Sequence, residues 1–401
     1  MRFGVVIPTF NEADFIGDTV ASLASQVHTD GRPISPDSLE IVVVDTPGDD
    51  NTAGAARAAA SRFGGVRLTV LRDDERSMVS ARILGMNHLL SREGGPPDCL
   101  VSADADTLFP GTWLVSVGDL VTQGYSMVST SGCFEASFWR RCPTLTRRYA
   151  EHVGTVFFTA ATAHELVDPS IALPFTPDLF SRFGRPVSDC GFAITPDLYR
   201  SLGGFRHEFY DDEREPILAV GWPLMFQADM AGAVIGYLHD PEYETSARRL
   251  LHEPEALFSG SSYLGEIENF RSTADDRHGW LERYAEYLDM RPLQRYVVKN
   301  YVLQQCITVP ARVRRNPQYF GSDIDDVAND IDGWRAVYPR PRTRDIFRFA
   351  DDLADRYADR VLARVQALRE PTLTSGRVVP GDRTGSSGRR AGEPPPPCAA
   401  P

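Results

Sequence analysis

Asp104-Ala105-Asp106 follows directly on the apolar run Cys99-Leu100-Val101-Ser102-Ala103. Two carboxylates so close at the end of a buried strand repel, and burial raises that cost. A hard divalent cation removes the conflict, because Mg²⁺ is typically held by one or two carboxylates together with substrate phosphates. Acid pairs of this spacing also occur on solvated loops. The upstream elements decide between the two readings.

The first half of the chain alternates strand and helix patterns. Residues 3–7, 40–44, 66–71 and 100–103 read as strands. The first, second and fourth are near-continuous apolar runs, as parallel strands covered on both faces should be. Between them Phe15, Ile16, Val20, Leu23 and Val27 fall on one helical face, with Asn11 as the expected N-cap. An alanine-rich helix over 53–63 stops at Gly64-Gly65. A third starts near Ser77, places Val79, Ile83, Met86 and Leu90 on one face, and ends at Gly94-Gly95. This alternation predicts an α/β domain with a mostly parallel sheet. In such sheets ligands bind beyond the carboxyl ends of the strands. Those ends carry Pro8-Thr9-Phe10-Asn11-Glu12, Asp45-Thr46-Pro47-Gly48-Asp49-Asp50 and Asp104-Ala105-Asp106. An acidic edge is a poor home for a bare phosphate; it suits a nucleotide whose diphosphate arrives with a metal.

A second block, 125–240, holds strand patterns at 125–130 and 188–195, and a short helix from Pro196 to the turn Leu202-Gly203-Gly204-Phe205. An acidic cluster, Asp211-Asp212-Glu213-Arg214-Glu215, precedes a final strand at 234–238. Residues 253–368 read as helical. From Thr372 onward Gly, Ser, Arg and Pro dominate, a composition that cannot bury enough apolar surface to order itself. The expected division is therefore an α/β domain over 1–245, a helical extension over 246–370 and a disordered tail over 371–401.

The 401 residues are 42% hydrophobic, enough for a sizeable core, and carry a formal net charge of -13. That balance argues against nucleic acid or an anionic membrane as the main partner. The six cysteines show no CxxC spacing and read as reduced and structural, as in a cytoplasmic protein. The chain opens straight into a strand-like run, unlike a signal peptide. Residues 217–238 come closest to a membrane span, but Pro223, Gln227 and Asp229 within them favour a buried helix and strand.

Val5-Val6-Ile7-Pro8-Thr9-Phe10-Asn11-Glu12 resembles the opening of family 2 glycosyltransferases of the GT-A fold. Val42-Val43-Val44-Asp45 with the turn after it, Ser80-Ala81-Arg82, Asp104-Ala105-Asp106 and Gly203-Gly204-Phe205 resemble later motifs of the same family, in order, over roughly residues 3–240. The resemblance implies a mixed, mostly parallel α/β sheet with flanking helices. It also implies an inverting, metal-dependent transfer of a sugar from a nucleoside-diphosphate sugar to an acceptor hydroxyl. Pro8, Thr9, Asn11 and Glu12 would then line the nucleotide pocket, Asp45 would face the base, and Arg82 would lie near the base or sugar phosphates. Asp106 would ligate Mg²⁺ or Mn²⁺, with Asp104 on the ribose, donor sugar or metal and His239 as a further ligand. Asp211 or Asp212 would be the general base. Arg248, in Thr245-Ser246-Ala247-Arg248-Arg249, would approach the donor diphosphate.

The chain departs from its relatives in two places. Thr46 stands where many have a second acid, and residues 216–223 intervene between the acidic cluster and Leu224, which leaves Asp211, Asp212 and Glu213 open as the base. Each assignment has a structural alternative. The acidic cluster would also suit a helix N-terminus, Trp139 and Trp222 would also suit core packing, and His239 and His252 would also suit surface positions. A sugar nucleotidyltransferase would need a glycine-rich, basic loop after the first strand, which Pro8-Thr9-Phe10-Asn11-Glu12 is not. A non-catalytic scaffold of the same fold would have no need of the acids. For the acceptor, a sugar, a metabolite and a lipid-linked molecule are all compatible, as are peripheral membrane association and a homodimer through the helical extension. Residues 154–183, apolar and aromatic, suit an acceptor lid or an irregular connection.

Overall fold

The computed structural model describes residues 1–152, 182–184, 187–210, 215–217, 219–252, 254 and 274–367. Its centre is one eight-stranded sheet of β1 (Phe3–Thr9), β2 (Leu39–Asp45), β3 (Arg67–Arg72), β4 (Cys99–Ala103), β5 (Thr107–Leu108), β6 (Met127–Phe134), β7 (Gly191–Ile194) and β8 (Ile235–Thr245). The spatial order is β3-β2-β1-β4-β7-β6-β8-β5. β1 lies parallel to both β2 and β4, with Val5 opposite Ile41 on one side and Val101 on the other, and β2 is parallel to β3. β7 enters antiparallel, Gly191 facing Ala103, and β6 and β8 again run parallel. The sheet is thus mixed and mostly parallel, as expected of the GT-A class.

Side chains on a strand alternate faces, and β1 shows why its run is apolar throughout. Val5 and Ile7 pack with α1 (Ile16–Ala24), α2 (Thr52–Ala60) and, through Trp113 and Leu114, α4 (Trp113–Thr122). Val6 packs on the opposite side with Val79, Met86 and Leu89 of α3 (Met78–Leu90). Each such side chain, fully buried, stabilises the fold by roughly 1.5–3 kcal/mol. β3, at the sheet edge, has exposed ends and a partly buried centre, in keeping with its weaker apolar pattern. α3 lies unusually close to the sheet: a Cβ on Gly85 would sit 2.4 Å from Val6 Cγ1 and 3.1 Å from Val44 Cγ2.

The second face of the sheet is covered further by the C-terminal helices. Leu293, Val302, Phe320, Ile331 and Leu353 belong to the same buried cluster as Val6 and Val42, so one core runs from the sheet into the helical region. The span-like residues 217–238 form the helix Gly221–Met230 and the start of β8. Among the described residues no helix is long and apolar enough to cross a membrane.

Three local readings are corrected. α1 begins at Ile16 and is capped by no side chain, so Asn11 is not its N-cap, and Val27 leaves the helix to bridge to Pro33. β6 and β8 run well beyond the expected 130 and 238, with a register shift between Thr130 and Gly132. The two-residue β5, too short to leave a periodic signal, pairs Thr107 with Thr245 and so ties the end of β8 to the Asp104-Ala105-Asp106 turn.

Candidate functional site

Because β1, β2 and β4 are mutually parallel, their carboxyl ends share one edge. Pro8 and Thr9 close β1 opposite Val44 and Asp45. The buried Thr9 hydroxyl donates to Asp45 Oδ1 at 3.0 Å. Burial pushes the Asp45 carboxyl above the usual carboxylate range, and the Thr9 hydrogen bond opposes the shift.

Asn11 adopts a left-handed backbone, φ 55°, a region Asn tolerates better than most residues. Its Oδ1 accepts from the Asp49 N–H at 2.8 Å. A Cβ on Gly48 would sit 1.8 Å from that oxygen, so the turn after β2 needs glycine there. The Glu12 N–H donates to Thr52 Oγ1, and the Ala13 N–H to Asp50 Oδ2, both at 2.8 Å. The loops after β1 and β2 are therefore one hydrogen-bonded unit.

Two ion clusters flank that unit. In the first, the fully buried Arg82 donates from Nη2 to Asp104 Oδ1 at 2.5 Å and from Nε to Ser102 Oγ at 3.2 Å. Its Nη1 has no hydrogen-bond partner among the described residues. Partly buried Asp189, which the sequence reading passed over, completes the group: its Oδ1 accepts from the Gly221 N–H at 2.6 Å. Burial pushes the Asp189 carboxyl up to about 6, Arg82 opposes the shift and Asp104 reinforces it. Asp189 precedes its strand instead of following one, and β7 is antiparallel, so its amino end reaches the edge where β4 ends. An acid before the apolar run Cys190-Gly191-Phe192-Ala193-Ile194 was the available signal. Next to it, burial and then Asp104 and Asp106 push the Cys190 thiol well up, which keeps it protonated and unreactive.

In the second cluster Arg248 forks onto Glu12, with Nη1 donating to Oε2 at 2.9 Å and Nη2 to Oε1 at 2.5 Å. The same Nη2 lies 3.2 Å from Asp106 Oδ2, and the guanidinium carbon stands 4.7 Å from the Phe15 ring centre. Burial pushes the Glu12 carboxyl up, Arg248 opposes it, and Asp106 and Asp104 add to it. Thus Glu12, Asp104, Asp106 and Arg248 converge at the edge that also holds Thr9, Asn11 and Asp45.

The oxygens of Asp104 and Asp106 fit a hard divalent ion, provided it takes over from Arg248 on Asp106. Among the described residues no group of three or more His, Cys, Asp and Glu side chains would hold an ion without help. Substrate phosphates would have to complete its shell.

Asp211, Asp212 and Glu213 lie outside the described residues, as do nearly all of 154–183. His239 lies within β8 and His252 ends the helix Arg248–His252, but the side chains of both are outside the described set. Trp139 is buried in the main core, and Trp222 packs edge-on against Phe226 and Tyr301. Both tryptophans therefore serve packing.

The family model for glycosyl transferase family 2 matches residues 4–156. An undecaprenyl-phosphate 4-deoxy-4-formamido-L-arabinose transferase of Edwardsiella ictaluri is 29% identical over 126 residues, covering 31% of this chain and 35% of that protein. The chain thus spans about a third of the length of this curated relative. Among solved structures, the mannosyltransferase PcManGT from Pyrobaculum calidifontis, in complex with GDP-Man and Mn²⁺, aligns over 92% of this chain and 86% of that one, at 16% identity and a TM-score of 0.42. S. aureus TarS 1–349 in complex with UDP-GlcNAc aligns over 89% and 92%, at 14% identity and a TM-score of 0.40. Over residues 4–156 this chain is thus similar to glycosyl transferase family 2.

Proposed function

We propose that the chain is an inverting glycosyltransferase that moves a sugar from a nucleoside-diphosphate sugar to an acceptor hydroxyl. The observation that carries this reading is the convergence of Glu12, Asp104, Asp106 and Arg248 at the strand ends beside the Thr9–Asp45 pair. Pro8, Thr9, Asn11 and Asp45 shape the nucleoside subsite, where the raised Asp45 carboxyl offers an acceptor for a base N–H. Asp106, with Asp104 and His239, holds Mg²⁺ or Mn²⁺, which supplies Lewis-acid stabilisation of the leaving diphosphate. Arg248, released from Asp106, turns its fork onto the diphosphate oxygens. Arg82 is too deeply buried to reach substrate directly and acts by fixing Asp104. Asp211 or Asp212 takes the acceptor proton as general base, in a single displacement. We further assign residues 1–245 to this activity, 246–370 to a helical extension and 371–401 to a tail, in a cytoplasmic protein.

The nucleotidyltransferase reading finds no support in the loop after β1, whose N–H groups at Glu12 and Ala13 are taken by Thr52 and Asp50. A thermal-shift series with UDP, GDP, dTDP and CMP, each with and without Mn²⁺, tests the proposal, because a ligand of the folded state raises its apparent stability. Stabilisation by one nucleotide only with metal present, lost in Asp106→Ala, is expected. No stabilisation by any of them at millimolar concentration removes the reading.

A further inference from the structure

A chain of hydrogen bonds leads from the Thr9–Asp45 pair into the loop between β3 and α3. The N–H of buried Asp73 donates to the Asp45 carbonyl at 3.1 Å, and its Oδ2 accepts from the Thr46 hydroxyl at 3.4 Å. Asp73 Oδ1 accepts from the Glu75 N–H at 3.3 Å. Arg76 follows with φ 52°, in the left-handed region that a long side chain enters only where its surroundings hold it. Glu75 Oε2 in turn accepts from the hydroxyl of buried Ser80 in α3.

The same hydroxyl oxygen lies 3.1 Å from His207 Nε2. A serine hydroxyl has one proton, and here Glu75 takes it, so the imidazole is the donor and its Nε2–H points at the Ser80 oxygen. Glu75 and His207 are exposed, and Ser80 is buried between them. Two surface side chains 132 positions apart in the chain are thereby pinned to one buried hydroxyl.

His207 stands immediately before a short antiparallel ladder. The Ile217 N–H donates to the Glu208 carbonyl at 2.8 Å, the Tyr210 N–H to the Glu215 carbonyl at 2.9 Å, and Phe209 bridges to Pro216. The loop that this ladder closes carries Asp211 and Asp212, the proposed bases. From the other side the Thr343 N–H donates to Glu208 Oε2 and Arg348 Nη2 to the Tyr210 carbonyl, each at 3.3 Å. The root of the acid-bearing loop is therefore held between a C-terminal helix and the loop that borders Asp45.

We infer that Glu75, Ser80 and His207 are positioning residues that couple the nucleoside subsite to the root of the acid-bearing loop, so that a nucleotide seated against Asp45 steadies the ladder before the acceptor arrives. The inference rests on the glycosyltransferase reading of the site. A merely structural role would protect the ladder equally with and without nucleotide. Coupling makes that protection depend on the nucleotide.

The test is amide hydrogen exchange on the full chain and on its Ser80→Ala and His207→Ala variants. Each is measured alone and with UDP, GDP, dTDP and CMP, each with Mn²⁺. Exchange over Thr9–Glu12 and Thr46–Asp50 reports on the nucleoside subsite, and exchange over His207–Tyr210 and Glu215–Ile217 reports on the ladder. In the unmodified chain the nucleotide that protects the subsite should also slow exchange in the ladder at least ~5-fold. Both variants should keep the protection of the subsite and lose that of the ladder. A protected subsite with an unaffected ladder in the unmodified chain overturns the inference and leaves the glycosyltransferase reading standing. So does ladder protection of undiminished size in either variant. Protection of neither region by any of the nucleotides removes the reading and the inference together.

Discussion

Arg248 and Glu12, 236 residues apart, form a two-pronged ion pair that also brings the guanidinium within 3.2 Å of Asp106. The chain thus carries its own cation at the acidic edge. Breaking a fully buried pair by deleting one partner costs about 3–5 kcal/mol. Glu12 and Arg248 retain some solvent contact, so Arg248→Ala should cost about 2 kcal/mol, read from denaturant unfolding. Mn²⁺ alone, without nucleotide, should then stabilise Arg248→Ala more than the unmodified protein, because no guanidinium has to leave Asp106. Equal Mn²⁺ shifts in the two proteins would show that the ion does not compete with Arg248.

The parallel half of the fold was legible because each of its strands is buried on both faces and so appears as an unbroken apolar run. The acids at those strand ends were legible for the same reason: strand polarity places them on one edge. Asp189 was not, because its strand is antiparallel and the acid comes first. Arg82 was legible as a site residue but not as a buried one, since its partner Asp104 follows β4 and does not lie in the same helix. The pairing of Arg248 with Glu12 depends on β5 fastening the end of β8 to the Asp106 turn, and a two-residue strand has no periodicity to detect.

Asp189 predicts a pH dependence of stability. Its carboxyl titrates near 6 in the folded chain against an ordinary value of 3.8. Below pH 3.8 both folded and unfolded chains carry the proton and the group has no effect. Between 3.8 and about 6 the unfolded chain gives up its proton first, so stability falls as pH rises, and the loss is complete above that window. The size is about 3 kcal/mol. Asp189→Asn can still accept from the Gly221 N–H and has no charge to bury. Unfolding free energies at several pH values should show the variant gaining on the unmodified protein across this window. A constant difference would mean that Asp189 titrates normally.

Two substitutions test the packing that positions the site. Gly85→Ala forces a methyl group against Val6 and Val44 and should destabilise by about 1–3 kcal/mol. Asn11→Gly keeps the left-handed turn and loses one hydrogen bond to Asp49, about 1 kcal/mol. Asn11→Ala loses the bond and also strains the backbone, so it should be the less stable of the two by about 1 kcal/mol. The reverse order of the Asn11 variants in thermal melts would place the turn's stability elsewhere.

Arg82 joins the two halves of the site, because one guanidinium faces Asp104 directly and Asp189 through the field of its charge. Arg82→Met keeps most of the side-chain length and removes the charge. Asp189 then loses the influence that most opposes its burial, and its midpoint should rise above about 6. The stability of Arg82→Met should therefore keep falling with pH beyond the point where the unmodified protein levels off. Adding Asp189→Asn to Arg82→Met should remove much of that extra slope, with the remainder belonging to Asp104. The double-mutant cycle, run at pH 5 and again at pH 8 with a precision of about 0.5 kcal/mol, separates the cases. Coupling that grows with pH identifies Arg82 as the counter-charge of a partly buried acid. Coupling that is absent at both pH values would reduce Arg82 to a packing residue.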